Sequence, residues 1–132
     1  ALGAALASVA DVMHAGDAVP LAPQVAPMSE VLIEMTAKSF GCVGLLDDTG
    51  RLAGIITDGD LRRHMGNDLV DRPAHEVMTR NPKTGRSEAL AADSLREMTA
   101  GSLKITQLFI VDDAHKPVGI LHLHDLLRVG LS

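Results

Sequence analysis

The sequence predicts an α/β fold, of the α+β kind, built from two β-α-β-β-α repeats that pack as a pseudo-twofold pair. The main evidence is a repeat, because Gly54–Arg63 recurs as Gly119–Arg128 with Gly, Ile, Asp, Leu and Arg at matching positions. At the same offset Val12-Met13 recurs as Val77-Met78. A sequence repeat at a fixed offset indicates two copies of one supersecondary unit. We place the first copy at 9–66, the second at 74–130 and a polar linker at 67–73.

Local signals define the helices and the first strand of copy one. Ser8 can cap a short helix over Val9–Met13, and a short strand over Val19–Leu21 is closed by Pro20 and Pro23. Pro27 suits the first position of the next helix. Its apolar residues fall at i, i+3, i+4 and i+7, and we interpret its methionines as core filling. These residues are Met28, Val31, Leu32 and Met35.

Each copy then has two apolar segments around an acidic turn, which predicts a hairpin. The turns are Asp47-Asp48-Thr49-Gly50 and Asp112-Asp113-Ala114-His115. Turn chemistry explains the paired aspartates, so we do not interpret them as a catalytic pair. The predicted strands are Val43–Leu46, Leu52–Ile56, Gln107–Val111 and Val118–Leu121.

Copy two opens with a second short helix at Pro73–Met78. Its amphipathic helix places Ala91, Leu95 and Met98 on one face, and a last helix covers Leu123–Val129. In that last helix Leu126, Leu127 and Val129 add an apolar face.

Composition limits the classes of partner. The chain has 132 residues, a net charge of −5 and 46% hydrophobic residues. With no basic run, nucleic acid and anionic membranes are disfavoured as partners. No apolar run approaches the roughly 18 residues of a membrane span. The apolar content favours a homo-oligomer.

The cysteine content and the missing targeting signal indicate a compartment. The single Cys42 excludes an intrachain disulfide and fits a reducing compartment, where it is expected to be buried and inert. The amino-terminal stretch lacks the positive flank of a signal peptide. We therefore expect a cytoplasmic protein.

Thr57 and Asp60 form the strongest candidate site, and two interpretations apply to them. Thr57 stands at a helix N-cap with Asp60 three residues on, which is a capping-box arrangement. A cap contributes about 1 kcal/mol and needs no ligand. The same geometry suits a ribose hydroxyl pair and a phosphate, and Arg62 and Arg63 follow within one turn.

The second copy departs from this pattern. His122 replaces the threonine and His124 replaces a glycine, whereas Asp125 persists. We therefore expect the second site to be altered or empty. A metal site at these histidines is disfavoured because a fourth ligand is not evident. No Ser-His-Asp, Cys-His or paired-acid set stands out, so no catalytic residue is assigned.

The residues Gly54-Ile55-Ile56-Thr57-Asp58-Gly59-Asp60, with an Asp/Glu-Val-Met opener upstream, resemble a cystathionine-β-synthase (CBS) domain. Two copies in tandem resemble the paired regulatory module of that family. The resemblance implies that Thr57 and Asp60 hold ribose and phosphate, and it favours AMP or ATP as ligand without a required cofactor. The full set of expected ligand-binding residues is Thr57, Asp58, Asp60, Arg62, Arg63, Met78, Thr79, His122, His124 and Asp125.

A narrower resemblance extends over nearly the whole chain. Asp11-Val12-Met13-His14, Thr57–Arg63 and Gly119–Arg128 are similar to the carboxy-terminal CBS pair of bacterial arabinose 5-phosphate isomerases. These enzymes have a sugar-isomerase (SIS) domain, convert ribulose 5-phosphate to arabinose 5-phosphate and feed 3-deoxy-octulosonate (Kdo) synthesis for lipopolysaccharide or capsule. Residues 1–8 would then be the remnant of a connection to a missing isomerase domain. The chain itself would not be an enzyme.

This resemblance leaves more than one function open. It implies a regulatory nucleotide or nucleotide-sugar module, with CMP-Kdo as a second ligand class beside AMP and ATP. The alternative is a structural module that only organises oligomers of the parent enzyme. A third class, an independent metal-binding or catalytic unit, is supported by the histidines alone.

Overall fold

A computed structural model describes residues 6–100 and 105–130 of the chain. It divides into two compact units. Residues 20–82 form one, termed the continuous unit, and residues 1–19 and 83–132 form the other, termed the discontinuous unit. Each unit contains a four-stranded sheet with helices, which confirms the predicted α/β class.

The described residues contain the following elements in chain order. The helices are α1 (Val9–Val12), α2 (Met28–Lys38), α3 (Asp58–Arg63), α4 (Ala91–Thr99) and α5 (Leu123–Arg128). The strands are β1 (His14–Ala15), β2 (Leu21–Pro23), β3 (Cys42–Leu46), β4 (Leu52–Thr57), β5 (Thr79–Arg80), β6 (Thr84–Gly85), β7 (Gln107–Val111) and β8 (Pro117–His122). Short 3-10 helices cover Gly16–Ala18, Leu69–Asp71 and Ala74–Glu76.

In the continuous unit the strand order is β2-β3-β4-β5. Strand β2 runs parallel to β3, and the other neighbours are antiparallel. Helix α2 buries its apolar stripe in the core, which confirms the methionines as core residues. The core consists of Ala22, Ala26, Met28, Val31, Met35, Val43, Leu45, Ile56, Leu69, Ala74, Val77 and Met78.

In the discontinuous unit the order is β1-β8-β7-β6, with β6 parallel to β7. Strand β1 is antiparallel to β8. The three apolar residues predicted on one face of α4 are all buried, as expected. The core consists of Val9, Ala91, Leu95, Met98, Leu108, Ile110, Leu121 and Leu126.

The opening segment, or opener, of each sequence copy packs in the unit that holds the rest of the other copy. Residues 74–80 open the second copy, yet Val77 and Met78 join the core built from first-copy residues. Conversely α1 and β1 open the first copy and pack with the second. The repeats visible in the sequence therefore differ from the compact units.

Several sequence expectations need correction. Leu69 lies in the stretch predicted as polar linker, but it is buried because its 3-10 helix packs against α2. Leu126 was expected on an exposed apolar face and is fully buried, which leaves Leu127 and Val129 exposed. The strand expected at Val19–Leu21 begins at Leu21, since Val19 instead closes the preceding 3-10 helix.

The turns and the cysteine agree with the sequence interpretation. Asp47 Oδ1 accepts hydrogen bonds from the backbone of Thr49 and Arg51, at 2.9 and 3.0 Å. Asp112 Oδ1 accepts two equivalent bonds at 2.9 Å. Cys42 is buried in β3, and burial, followed by the charge of Asp58, raises the pKa of its thiol to about 12. A thiol with that pKa stays protonated and unreactive near neutral pH.

Candidate functional site

The Asp60 carboxylate is the centre of the first candidate site, in the continuous unit. The predicted capping box is present, because Asp60 Oδ2 accepts a hydrogen bond from the backbone N–H of Thr57 at 2.9 Å. The same oxygen lies 3.2 Å from the Thr57 hydroxyl. Oδ1 accepts from the Thr79 hydroxyl at 2.6 Å and pairs with the Arg63 guanidinium. Asp60 is only 2% exposed, so these donors occupy its acceptor capacity.

Close packing of β4 and β5 brings Thr79 to this carboxylate. Ile55 faces Thr79 in the antiparallel register. A Cβ added at Gly54 would lie 2.6 Å from Met78 Sδ and 2.7 Å from the Thr79 carbonyl oxygen. Only glycine allows this approach, so Gly54 determines how near β5, and with it Thr79, comes to Asp60.

The second copy has a matching arrangement around Asp125, in the discontinuous unit. The Nε2 of His14 lies 2.8 Å from Asp125 Oδ2, and Arg128 Nη1 lies 3.2 Å from Oδ1. Here the close approach is at Gly119, where a Cβ would lie 2.5 Å from Met13 Sδ and 2.9 Å from the His14 carbonyl oxygen. His14 therefore corresponds to Thr79, as Asp125 corresponds to Asp60.

His122 forms different hydrogen bonds from Thr57, the residue that it replaces. Its Nδ1 accepts a hydrogen bond from the His124 backbone N–H at 3.1 Å and so caps α5. The pKa of His122 is lowered, first by burial and then by the nearby His124 and His14, against the opposing effect of Asp125. The rings of His122 and His124 lie 4.6 Å apart between centroids.

The structure places the other expected site residues as follows. Asp58 and Arg62 are exposed on α3, outside the Asp60 network. Met78 is buried beneath Gly54 and presents little surface for a ligand. The Arg63 guanidinium forms an ion pair with the Asp60 carboxylate. His14 was not among the expected residues, although the repeat offset aligns it with Thr79 and would have identified it.

Within residues 6–100 and 105–130, no three His, Cys, Asp or Glu side chains are grouped so that they could hold a metal ion. In the same ranges, no helix has the length and apolarity needed to span a bilayer.

The family model of the CBS domain matches the chain twice, at residues 9–67 and 74–132. This chain belongs to the CBS domain family. The two matches make it a tandem CBS pair, with Asp60 in the first matched range and Asp125 in the second.

Curated sequence relatives match nearly the whole of this chain. The chain is 45% identical over 128 residues to arabinose 5-phosphate isomerase KdsD of Pseudomonas aeruginosa, covering 96% of this chain and 39% of the relative. It is 40% identical over 128 residues to KdsD of Escherichia coli K12, covering 96% and 38%. An uncharacterized protein, RP505 of Rickettsia prowazekii, is 40% identical over 131 residues, with 99% and 40% covered. The chain thus spans about two fifths of the length of these curated relatives.

Solved CBS structures share the fold. The CBS domain pair of protein MJ0100, in complex with 5′-methylthioadenosine and S-adenosyl-L-methionine, superposes with a TM-score of 0.80 at 22% identity, covering 94% of this chain and 95% of that one. CBSX2 in complex with AMP gives a TM-score of 0.76 at 20% identity, covering 92% and 93%.

Proposed function

We propose that this CBS pair is a regulatory module that binds a nucleotide or nucleotide-sugar. One observation carries the proposal: the hydroxyls of Thr57 and Thr79 both donate to the Asp60 carboxylate. Their protons are therefore used, and lone pairs on the two oxygens remain as acceptors, although the Thr57 oxygen also accepts from the backbone N–H of Asp60 in the capping box. Two acceptors held near one buried carboxylate suit the vicinal hydroxyls of a ribose.

In this proposal each residue of the site has a distinct role in binding the ligand. Asp60 is the anchor of the site and Thr57 and Thr79 meet the sugar, because the Asp60 oxygens are already occupied. The exposed carboxylate of Asp58 adds a further acceptor. Arg62 is exposed on α3 and is proposed for phosphate. Met78 supports the site from below, and His122, His124 and Asp125 form the second-copy counterpart.

Two ligand classes are proposed. The solved CBS pairs that hold AMP or S-adenosyl-L-methionine support an adenosine nucleotide, AMP or ATP. The isomerase relatives support CMP-Kdo, the activated product of the pathway to which their resemblance points. No cofactor is required for either class.

Thermal shift and calorimetry against AMP, ATP, CMP and CMP-Kdo test the proposal. A ligand at 100 times its dissociation constant stabilises the folded state by about 2.7 kcal/mol.

Thr79→Val removes one acceptor at an exposed position and should weaken binding about 5- to 12-fold, the equivalent of about 1–1.5 kcal/mol. Thr36→Val is the matched control, since Thr36 is an exposed threonine of α2 that donates to the backbone of its own helix. No binding of any probe, or unchanged affinity in Thr79→Val, would contradict the proposal.

We further propose that the chain acts within a cytoplasmic arabinose 5-phosphate isomerase, with that protein's sugar-isomerase domain as its partner. Identity of 40–45% to the KdsD enzymes supports this. The catalytic step would belong to the sugar-isomerase domain of the parent. Conversion of arabinose 5-phosphate by this chain alone would contradict that assignment.

A structural, oligomer-forming module is the second candidate function. An apolar depression on α2 is lined by Leu32, Ile33, Thr36 and Ala37, and Ile33 is 71% exposed. Exposed apolar residues on one helix favour contact with another chain. Sedimentation of wild type and Ile33→Lys tests it: a homo-oligomer dissociated by the variant supports this function, and a monomeric wild type at high micromolar concentration excludes it.

A further inference from the structure

A cavity of about 390 Å³ lies in the continuous unit, where β2 ends and the first hairpin turn begins. This volume is within the range of about 300–1,000 Å³ that is typical of small-ligand sites. Strand β4 leads from the turn to Thr57, and its six residues span roughly 17 Å. The cavity is therefore separate from the candidate nucleotide site at Asp60. Its lining residues are Pro23, Gln24, Val25, Leu46, Asp47 and Asp48.

The strand registers identify the counterpart of this place in the discontinuous unit. Pro23 pairs with Leu46, the last residue of β3. In the discontinuous unit β6 is parallel to β7 in the same way, with Gly85 opposite Ile110, the last residue but one of β7. The next residue, Arg86, therefore stands at the level that Pro23 has in the continuous unit.

A guanidinium occupies this place in the discontinuous unit. Arg86 forms an ion pair with Asp113 of the second hairpin turn, and its Nε lies 3.5 Å from a carboxylate oxygen of Glu88. By position in the two units, Asp113 corresponds to Asp48 and Glu88 corresponds to Val25. The turn aspartate that lines the cavity in one unit thus holds a guanidinium in the other.

The continuous unit retains the acceptors of this interaction but has an uncharged proline in place of the cation. In the part of the chain that the structure describes, Asp48 forms no ion pair. The hydrogen bonds that Asp47 accepts within the turn all go to Oδ1, so Oδ2 can still accept. Arg51 does not account for the difference, because Lys116 supplies a cation at the matching position after the second turn.

The composition of the cavity favours a guanidinium over other cations. A guanidinium is planar and weakly hydrated, so its faces can lie against apolar side chains while its N–H groups donate to carboxylates. Val25, which is 72% exposed, provides such an apolar surface. An ammonium group is strongly hydrated and fits this surface less well.

We propose that this cavity binds the guanidinium group of an arginine side chain from another polypeptide segment. The bound group takes the place that Arg86 has in the other unit, donates to Asp48 and Asp47 Oδ2, and covers Val25. The inference goes beyond the proposed function, since it requires no nucleotide and no contribution from Thr57.

NMR titration of the wild-type chain with Nα-acetyl-arginine N-methylamide, at constant ionic strength, tests the proposal. Saturable shifts are expected at the amides of Val25 and Asp48, with smaller shifts for the matching lysine compound. The amides of Glu88 and Asp113 should not respond, because Arg86 already contacts both side chains. No saturable shift, equal shifts at both turns, or an equal response to the lysine compound overturns the proposal. Tighter binding of free arginine than of the blocked compound overturns the assignment to a polypeptide segment.

Variants test the site by loss and by gain of binding. Pro23→Arg introduces the residue that the other unit has at this level and should abolish the shift at Asp48. Asp48→Asn should weaken binding about two- to fivefold, the range for an exposed ion pair. Glu30→Gln, at an exposed acid of α2, is the matched control and should not weaken it. Arg86→Ala should create a saturable shift at Asp113, a gain that unfolding cannot produce. Unchanged binding in both Pro23→Arg and Asp48→Asn would contradict the site.

Nucleotide binding provides a separate readout. Asp48→Asn should leave the affinity for AMP unchanged, because Asp48 and Asp60 lie beyond opposite ends of β4. A parallel loss of AMP affinity would contradict the separation of the two sites. The arginine titration itself uses no nucleotide, so either proposal can fail alone.

Discussion

At the scale of single residues, the Asp60 side chain has a structural role. Its carboxylate joins the end of β4, the start of α3 and strand β5 through Thr57, Arg63 and Thr79. The sequence predicts the capping box, and contact of the carboxylate with a ribose stays a prediction. Burial explains these protein contacts, because a carboxylate shielded from solvent must have its oxygens satisfied by the protein.

Asp60→Ala should therefore destabilise the chain by about 3 kcal/mol, since it leaves several donors without their acceptor. The free energy of unfolding from urea denaturation measures this. Asp58→Ala is the matched control, because Asp58 is exposed on the same helix and should cost about 0.5 kcal/mol or less. Equal losses in the two variants would show that the buried network contributes nothing.

At the scale of elements, two glycines determine the spacing of the strands that build the carboxylate sites. Gly54→Ala places a methyl group 2.7 Å from the Thr79 carbonyl oxygen, which is backbone and cannot rotate away. We expect a loss of about 1–3 kcal/mol from overpacking. Gly66→Ala is the control, since its nearest neighbour is an Asp68 oxygen at 3.5 Å. A Gly54→Ala variant as stable as wild type would contradict the close approach of β4 and β5.

The hairpin turns predict a dependence of stability on pH. The pKa of Asp47 is lowered, chiefly by the hydrogen bond from the Thr49 side chain and then by that from the Arg51 backbone. A depressed folded-state pKa contributes stability that is present above the unfolded value of 3.8 and is lost as the pH falls through the folded value. The difference in urea midpoint between wild type and Asp47→Ala should thus be largest near pH 7 and shrink below about pH 4. An Asp47→Ala difference that stays constant over this pH range would refute the turn assignment.

At the scale of the whole molecule, the exchange of openers predicts which fragment folds. Residues 20–82 contain the entire first core, including Leu69, Val77 and Met78, together with strand β5. Residues 9–66, the first sequence repeat, lack all of these. A single unit of this size is only marginally stable, so missing core residues should decide the outcome. Amide dispersion in NMR spectra should be greater for 20–82 than for 9–66, and the reverse order would contradict the unit boundaries.

The sequence alone determined the repeat, the type of most elements, the acidic turns and the Thr57–Asp60 cap. These depend on short-range chemistry: periodicity, turn residues and caps act within a few positions of the chain. The two-residue strands β1, β5 and β6 carry no such signal, and their pairing is set by distant neighbours.

Only the tertiary structure decided which copy each opener joins, and this brings Thr79 to Asp60 and His14 to Asp125. It also decided that Leu69 and Leu126 are core residues and that the Asp60 oxygens are occupied. The physical reason is common to all of these. Burial and strand pairing depend on residues far apart in the chain. The local sequence determines only the chemical groups and backbone preferences of a residue, and not its tertiary contacts.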